Sequence, residues 1–258
     1  MPVGGEPVKY SRSGERMHSF YIVPPVNGEA LLPAEEAKHA MKVLRLGPGD
    51  EVCAMDGAGG RWRGEIAEIS DGTVRVRLLE ALPANEAPVR VTVYEGMPKA
   101  DKLDIIAQKL TELGAAALVP VKMERCVVKL DGKDGMKRRE RLEKIAREAA
   151  KQCRRGRAPE IAEPLTWRQA LARMAAHDLL LIPWEDAEGT RMKDAQHALP
   201  QARDIGIVIG PEGGMSEEEV RALADIGGRT VTLGPRILRT ETAAVVSAAL
   251  AMQLWGDL

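Results

Sequence analysis

Two glycine turns, 209-IGPEGG-214 and 233-LGPRILRTET-242, determine how the C-terminal part of the chain folds. Each follows a short apolar segment, Ile205–Ile209 or Thr230–Leu233, that predicts a strand, and each leads into a predicted helix. Two strand–turn–helix units side by side place both turns at the same edge of a parallel sheet, where open α/β folds bind ligands. A single turn of this kind is common in ordinary βα loops. Two in succession, the second rich in charged residues, favour a ligand site.

The residues after the first turn indicate the kind of ligand. Ser216 and Glu219 form a capping box, and Glu217 and Glu218 lie in the first helical turn. Because these carboxylates already occupy the positive end of the helix dipole, they would repel a phosphate, and a ligand with a cationic centre fits better. The chain also lacks the P-loop and nucleophile-elbow motifs, and no G-x-G-x-x-G opens its first βα unit. A dinucleotide-dependent oxidoreductase is therefore disfavoured.

The length of 258 residues predicts two domains. Before residue 83, short strand-like segments separated by glycine turns predict a small β-barrel with one helix, Pro33–Leu44. After it, alternating strands and helices predict an α/β domain with a mainly parallel sheet. The predicted boundaries are a loose tail (1–16), a barrel (17–84), a linker (85–88) and the α/β domain (89–258).

The overall composition excludes several classes of protein. The net charge of −1 does not indicate a nucleic-acid binder, so any such evidence has to be local. The three cysteines and four histidines are dispersed, which argues against a structural metal and suits a reducing cytoplasm. A signal peptide is not expected, because the N-terminus, Met1–Arg16, is polar and has no apolar stretch of sufficient length. A membrane span is not expected either, because the longest apolar stretch, Ala243–Leu254, is short and interrupted. We therefore expect a soluble, cytoplasmic protein that contains no metal.

Positive charge is concentrated between Lys137 and Arg157, where ten lysines and arginines stand against three glutamates. A solvated helix with i,i+4 ion pairs explains part of this surplus. It does not explain Arg154, Arg155 and Arg157, which we predict to lie unpaired beyond the helix end. An anionic partner such as RNA is favoured.

Several motifs resemble one known family, the bacterial 16S ribosomal RNA (uracil-N3)-methyltransferases of the SPOUT superfamily. The resemblance covers almost everything from Met17 onward. Its motifs are His39–Gly49 (HAMKVLRLGPG), Gln108–Gly114 (QKLTELG), Glu124–Asp131 (ERCVVKLD), Glu148–Ile161 (EAAKQCRRGRAPEI), the IGPEGG turn, and Leu233–Ala243 (LGPRILRTETA).

The resemblance implies a PUA-like RNA-binding barrel followed by a SPOUT methyltransferase domain with a deep trefoil knot, working as a homodimer. It also implies methyl transfer from S-adenosylmethionine to N3 of one uridine of 16S ribosomal RNA, near the decoding centre of the small ribosomal subunit. The positive sulfonium of this cofactor suits a glutamate-bearing turn. The residues expected to surround the cofactor are Ile182, Pro183, Gly210, Glu212, Gly213, Gly214, Leu233, Gly234, Ile237, Leu238, Arg239, Thr240, Thr242 and Ala243.

Methylation at uracil N3 requires removal of a weakly acidic proton and stabilisation of the charge left on the uracil oxygens. Glu212 and Glu241 are the candidate bases, and Arg236 and Arg239 are the candidate partners of the oxygens. Two alternatives are a SPOUT methyltransferase acting on transfer RNA or 23S RNA, and a non-catalytic RNA-binding or ribosome-assembly factor. The expected RNA contacts are Arg45, Arg61, Arg63, Lys99, Arg125, Arg154, Arg155 and Arg157.

Overall fold

The computed structural model describes residues 17–99, 101–128, 132–187 and 189–258, so the predicted tail, residues 1–16, lies outside it. The chain forms two compact units, of which the second comprises Pro83–Leu258 and Gly57–Gly60. The strands are β1 His18–Tyr21, β2 Glu29–Leu31, β3 Glu51–Met55, β4 Arg61–Ser70, β5 Thr73–Ala81, β6 Arg90–Gly96, β7 Ala117–Lys122, β8 Glu160–Ile161, β9 Leu165–Thr166, β10 Leu179–Pro183, β11 Asp204–Ile209 and β12 Arg229–Val231. The helices are α1 Ala34–Lys38, continued by a π-helical turn at His39–Val43, α2 Lys102–Glu112, α3 Gly132–Cys153, α4 Trp167–Met174, α5 Met192–Ala198, α6 Glu217–Asp225 and α7 Thr240–Trp255.

The first unit is a five-stranded sheet in the order β1-β3-β4-β5-β2, in which only the β1–β3 pair is parallel. The predicted helix is confirmed, and it packs Ala37 and Ala40 onto the sheet core. Strand β2 was not predicted, although Asn27-Gly28 before it is a strong two-residue hairpin signal. Both residues adopt the positive φ (53° and 79°) that such a turn requires.

The second unit contains a seven-stranded parallel sheet in the order β12-β10-β11-β6-β7-β8, with β9 also paired to β7. The predicted α/β architecture is confirmed. The two glycine turns do end strands at one edge of this sheet, but their strands are not neighbours as predicted. The connection through α6 crosses over β10, so β11 and β12 pair with opposite sides of that strand. The turns therefore flank the end of β10.

Helices cover both faces of the parallel sheet, and strand residues alternate between the two cores. Val91 and Val93 point into the core shared with α2, α3, α5 and α7, whereas Tyr94 points into the core shared with α4 and α6. This alternation follows from the two-residue period of a strand. Within the described part of the chain, no helix combines the length and the apolar character needed to cross a bilayer.

Candidate cofactor and active site

A cavity of about 440 Å³ lies where the ends of β10 and β11 meet the start of α7. It has an apolar side, formed in part by Met215 and Leu238, and a charged side with carboxylates. A smaller space of about 70 Å³ shares part of this lining and includes Leu233, Gly234 and Arg236. The structure thus brings most of the predicted cofactor residues together. Those that line the larger cavity are Pro183, Gly210, Glu212, Gly213, Gly214, Ile237, Leu238, Arg239, Thr240 and Ala243.

Two predicted cofactor residues do not contribute side chains to either space. Ile182 is fully buried in the core beneath α4 and α6, because its side chain lies on the opposite face of β10 from that of Leu181. The side chain of Ile182 therefore points away from the cavity, and a contact with the cofactor could come only from its backbone at the strand end. Thr242 is exposed on α7 and lines neither space.

Other lining residues were missed in the sequence. Trp184 and Glu185 directly follow a predicted strand, so the rule that parallel strand ends share an edge would have found them. Lys102 comes from α2, more than one hundred residues before the turns, and no local pattern points to it. The missed residues are Lys102, Trp184, Glu185 and Met215, with Thr232 in the smaller space.

The first glycine turn is held by close backbone contacts. The N–H of Gly214, which has φ +70°, donates to the carbonyl of Pro211 at 2.8 Å. Pro211 packs so closely on Gly96 that a Cβ at residue 96 would lie 2.5 Å from the proline ring. The guanidinium of Arg125 donates to the carbonyl of Gly213 at 3.1 Å. Arg125, predicted as an RNA contact, is thus part of the support for the turn.

One lysine joins the two candidate bases. Nζ of Lys102 lies 3.0 Å from Oε1 of Glu212 and 3.3 Å from Oε2 of Glu241. Partial burial raises the pKa of Glu212, but hydrogen bonds from the Lys99 N–H and from Lys102 outweigh it and hold that pKa below its ordinary value. The hydrogen bond to Glu212 also raises the pKa of Lys102. Glu212 and Lys102 therefore form an ion pair at neutral pH.

The two arginines of the second turn are placed differently. Arg239 is exposed at the N-cap of α7 and lines the larger cavity, whereas Arg236 is exposed and lines the smaller space. Among the residues that the structure describes, neither side chain makes an ion pair. Arg239 is therefore the better placed of the two to meet a group bound in the larger cavity.

A buried acid behind the cavity was not singled out in the sequence. Glu95, near the end of β6, is fully buried, and Oγ1 of the lining residue Thr240 lies 2.5 Å from its Oε1. Burial raises the pKa of Glu95 well above its ordinary value. In the sequence this residue is simply the last position of a predicted strand.

Arg155 is not the unpaired surface cation that the sequence predicts, and this removes the basis for its predicted contact with RNA. Its side chain is buried, with Nη2 2.7 Å from a carboxylate oxygen of Glu86. Its Nη1 also donates to the carbonyl oxygens of Thr111 and Ala115, at 2.8 and 3.0 Å. The guanidinium thus connects Glu86, in the segment 83–88, to the end of α2 and the loop that follows it.

Part of the positive surplus on α3 is balanced by acids from elsewhere in the fold. Arg138 and Arg141 both pair with Asp104 of α2, and Arg139 reaches Glu163 as well as Glu143 on its own helix. A count of charges within one stretch of sequence cannot include acidic partners that lie elsewhere in the chain. Arg154 and Arg157 are the predicted RNA contacts of this stretch that remain exposed, Arg154 with φ +62°.

The remaining predicted RNA contacts lie on surfaces of both units. In the first unit, Arg45 is exposed and Arg61 is half-buried. Arg63 pairs with Glu51 and Glu80 at 2.8 and 3.4 Å, so part of its charge is already compensated. In the second unit, Lys99 is exposed beside the first glycine turn.

Comparisons with known proteins agree with this geometry. Models of an RNA methyltransferase domain and of an RNA methyltransferase PUA domain match residues 85–252 and 32–79. Ribosomal RNA small subunit methyltransferase E of Bacillus subtilis is 40% identical over 219 residues, covering 82% of this chain and 85% of that protein. The protein of the same name from Mycobacterium tuberculosis is 33% identical over 234 residues, covering 88% of each chain.

Two solved structures are similar over nearly the whole chain. One is ribosomal RNA small subunit methyltransferase E of Neisseria gonorrhoeae bound to S-adenosylmethionine, with TM-score 0.83, 30% identity and coverage of 94% of this chain and 99% of that one. The other is a Legionella pneumophila methyltransferase with bound S-adenosylmethionine, with TM-score 0.84, 30% identity and coverage of 95% and 100%.

A ligand cavity at the edge of a parallel sheet, in the part of the chain that matches the methyltransferase model, defines the class as RNA methyltransferases with a PUA domain. The similarity extends over both domains and across most of the length of the relatives. The chain belongs to the ribosomal RNA small subunit methyltransferase E family. Membership of the family inferred from the sequence motifs is therefore confirmed.

Proposed function

We propose that this protein transfers a methyl group from S-adenosylmethionine to N3 of one uridine of 16S ribosomal RNA, near the decoding centre of the small subunit, in the cytoplasm. The observation that carries the proposal is the larger cavity, which combines both glycine turns, an apolar wall, carboxylates and the exposed Arg239. The small-subunit name and the bound cofactor of its relatives support the substrate and cofactor.

The chemistry of the cavity fits this cofactor. Its volume of about 440 Å³ lies within the range of small-molecule sites. Met215, Ile237 and Leu238 offer apolar surface, while Glu185 and Glu212 offer negative charge for a sulfonium. Bound there, S-adenosylmethionine supplies an electrophilic methyl group. We propose that backbone groups of the two glycine turns hold its polar parts.

The charged residues would then remove the N3 proton of the uracil and stabilise the negative charge that results. A base has to accept the N3 proton, and Glu241 and Glu212 are the candidates. Glu212 lines the larger cavity, although hydrogen bonds from Lys99 and Lys102 lower its pKa, whereas Glu241 pairs with Lys102 as well and lines neither space. Arg239, assisted by Arg236, would stabilise the negative charge that develops on O2 and O4 of the uracil.

We further propose that the C-terminal domain is knotted and acts as a homodimer. The knot rests on the resemblance of the sequence motifs to the SPOUT superfamily, and it would involve the segment that leaves the sheet at the edge strand β12 and returns to pack α7 on β6, β11 and α2. The apolar character of α7 supports a dimer, since Leu250 and Leu254 stay only partly buried in the single chain.

A methylation assay tests the reaction. Small subunits, free 16S RNA and transfer RNA from cells that lack the enzyme are incubated with the protein and labelled cofactor, and the nucleosides are analysed by mass spectrometry. We expect N3-methyluridine at one position of 16S RNA. Methylation of transfer RNA instead would establish the first alternative. A failure to bind S-adenosylmethionine in calorimetry would favour a non-catalytic RNA-binding factor.

RNA binding is expected to depend on the two exposed arginines beyond α3. Replacing Arg154 and Arg157 together by glutamine should weaken binding and reduce the slope of log K against log salt by roughly 1.4 to 1.8, because each phosphate contact contributes about 0.7 to 0.9. Titrations of 16S RNA at several salt concentrations measure this slope. The matched control replaces the exposed Arg168 and Arg221 on α4 and α6. Equal slopes for both double variants would contradict the assignment.

A further inference from the structure

Three separate parts of the domain meet at one hydroxyl group behind the cavity. Oγ1 of Thr240, the first residue of α7, lies 2.5 Å from Oε1 of Glu95 and 2.8 Å from the carbonyl oxygen of Gly210. Glu95 is fully buried, and its Oε2 has no hydrogen-bond partner among the described residues. Both Thr240 and Gly210 line the cavity, on the second and first glycine turns respectively.

The number of protons available for these hydrogen bonds indicates whether Glu95 is ionised or protonated. A threonine hydroxyl has one proton and can donate only one hydrogen bond. If Glu95 were ionised, its carboxylate and the Gly210 carbonyl would compete for that proton. The acceptor that did not receive it would face a lone pair of the Thr240 oxygen. If Glu95 is protonated, its O–H donates to Thr240, whose own O–H donates to Gly210. Only the second arrangement gives every short contact a donor and an acceptor.

The charges around Glu95 favour the same state. Burial raises the pKa of Glu95 above the ordinary value of 4.5, and the negative charges of Glu212 and Glu241 raise it further. The Thr240 hydrogen bond and Lys102 lower it without restoring that value. The thiol of Cys126, after β7, also lies within electrostatic range of this carboxyl. A buried neutral acid that lacks one partner also costs less than a buried carboxylate that lacks one.

We propose that Glu95 is a neutral carboxylic acid that positions the cofactor cavity. Its proton begins a relay from Glu95 to Thr240 to Gly210, which ties the first glycine turn to the start of α7. Glu95 is thus a positioning residue that acts through Thr240 and touches neither substrate nor cofactor. Its link to S-adenosylmethionine rests on the proposed function, whereas its protonation does not.

The pH dependence of stability tests the protonation. Because the pKa is higher in the folded than in the unfolded protein, stability from this group is fully present below the unfolded pKa and falls as pH rises towards the folded pKa. In Glu95→Gln an amide N–H replaces the O–H and no longer titrates. The unfolding constant of wild type relative to Glu95→Gln should rise about tenfold per pH unit between about pH 5 and about pH 7.

A constant ratio across this pH range would overturn the proposal. The control is Glu217→Gln, which changes an exposed glutamate and should give no such slope. A second measurement does not depend on unfolding. The infrared C=O stretching band of a protonated carboxylic acid should be present in the wild type at neutral pH and absent from Glu95→Gln. Identical spectra in that region would also reject the neutral acid.

Variants of Thr240 test the relay. Thr240→Ser keeps a hydroxyl and should bind S-adenosylmethionine within about twofold of the wild type, as should Glu95→Gln. Thr240→Val cannot pass the hydrogen bond on and should bind about tenfold more weakly in calorimetry. Equal affinity of the valine and serine variants would show that the relay does not position the cavity. If the wild type itself fails to bind, the proposed function and the positioning role both fail, while the pH slope still decides the protonation.

Discussion

Replacing Arg239 by alanine is expected to lower kcat for methyl transfer by about 100- to 1,000-fold, the usual effect of removing one donor to a developing oxyanion. The affinity for S-adenosylmethionine should change by less than about threefold, because charge on the uracil oxygens develops only in the transition state. Arg239 carries this expectation because its exposed side chain lines the larger cavity. Single-turnover methylation and calorimetry measure the two quantities separately.

The matched control is Arg221→Ala, which removes an exposed arginine from α6 and should leave kcat within about twofold, as expected for an exposed substitution away from the site. Arg236→Ala should have an intermediate effect, because Arg236 lines only the smaller space. Full activity of Arg239→Ala with normal cofactor affinity would exclude the role of Arg239 at the uracil oxygens. A loss confined to cofactor affinity would assign it to binding instead.

Replacing Arg155 by alanine is expected to destabilise the protein by about 3–5 kcal/mol, the range for breaking a buried ion pair by removing one partner. The change leaves the carboxylate of Glu86 without its cation, at a site where only 14% of that side chain is exposed. It also removes the donor to the carbonyl oxygens of Thr111 and Ala115. Equilibrium denaturation in urea measures the loss.

The neighbouring Arg154 provides the control. It is exposed, so Arg154→Ala should change the free energy of unfolding by less than about 0.5 kcal/mol. Combining Arg155→Met with Glu86→Gln should recover part of the stability, since no charge is then left buried alone. A loss below about 1 kcal/mol in Arg155→Ala would mean that this ion pair is weaker than its burial indicates.

Much of the architecture follows from short-range patterns in the sequence. The apolar period of α2, the capping box at Ser216 and the strands before each glycine turn are all found close to where they were predicted. These features depend on the φ and ψ preferences of single residues and on periods of two or 3.6 residues. Most of the cofactor cavity was predictable for the same reason, because most of its lining comes from two continuous segments of chain at the glycine turns.

The features that were missed depend on residues far apart in the sequence. Strand β10 enters between the two turn strands because of a crossover, which local periodicity does not encode. Arg155 resembled a free surface cation until Glu86, 69 residues away, neutralised it. Glu95 gains its environment from Thr240, 145 residues later. Charge and hydrogen bonding act through space, so the sequence specifies which groups are present, and the tertiary fold selects their partners and their protonation states.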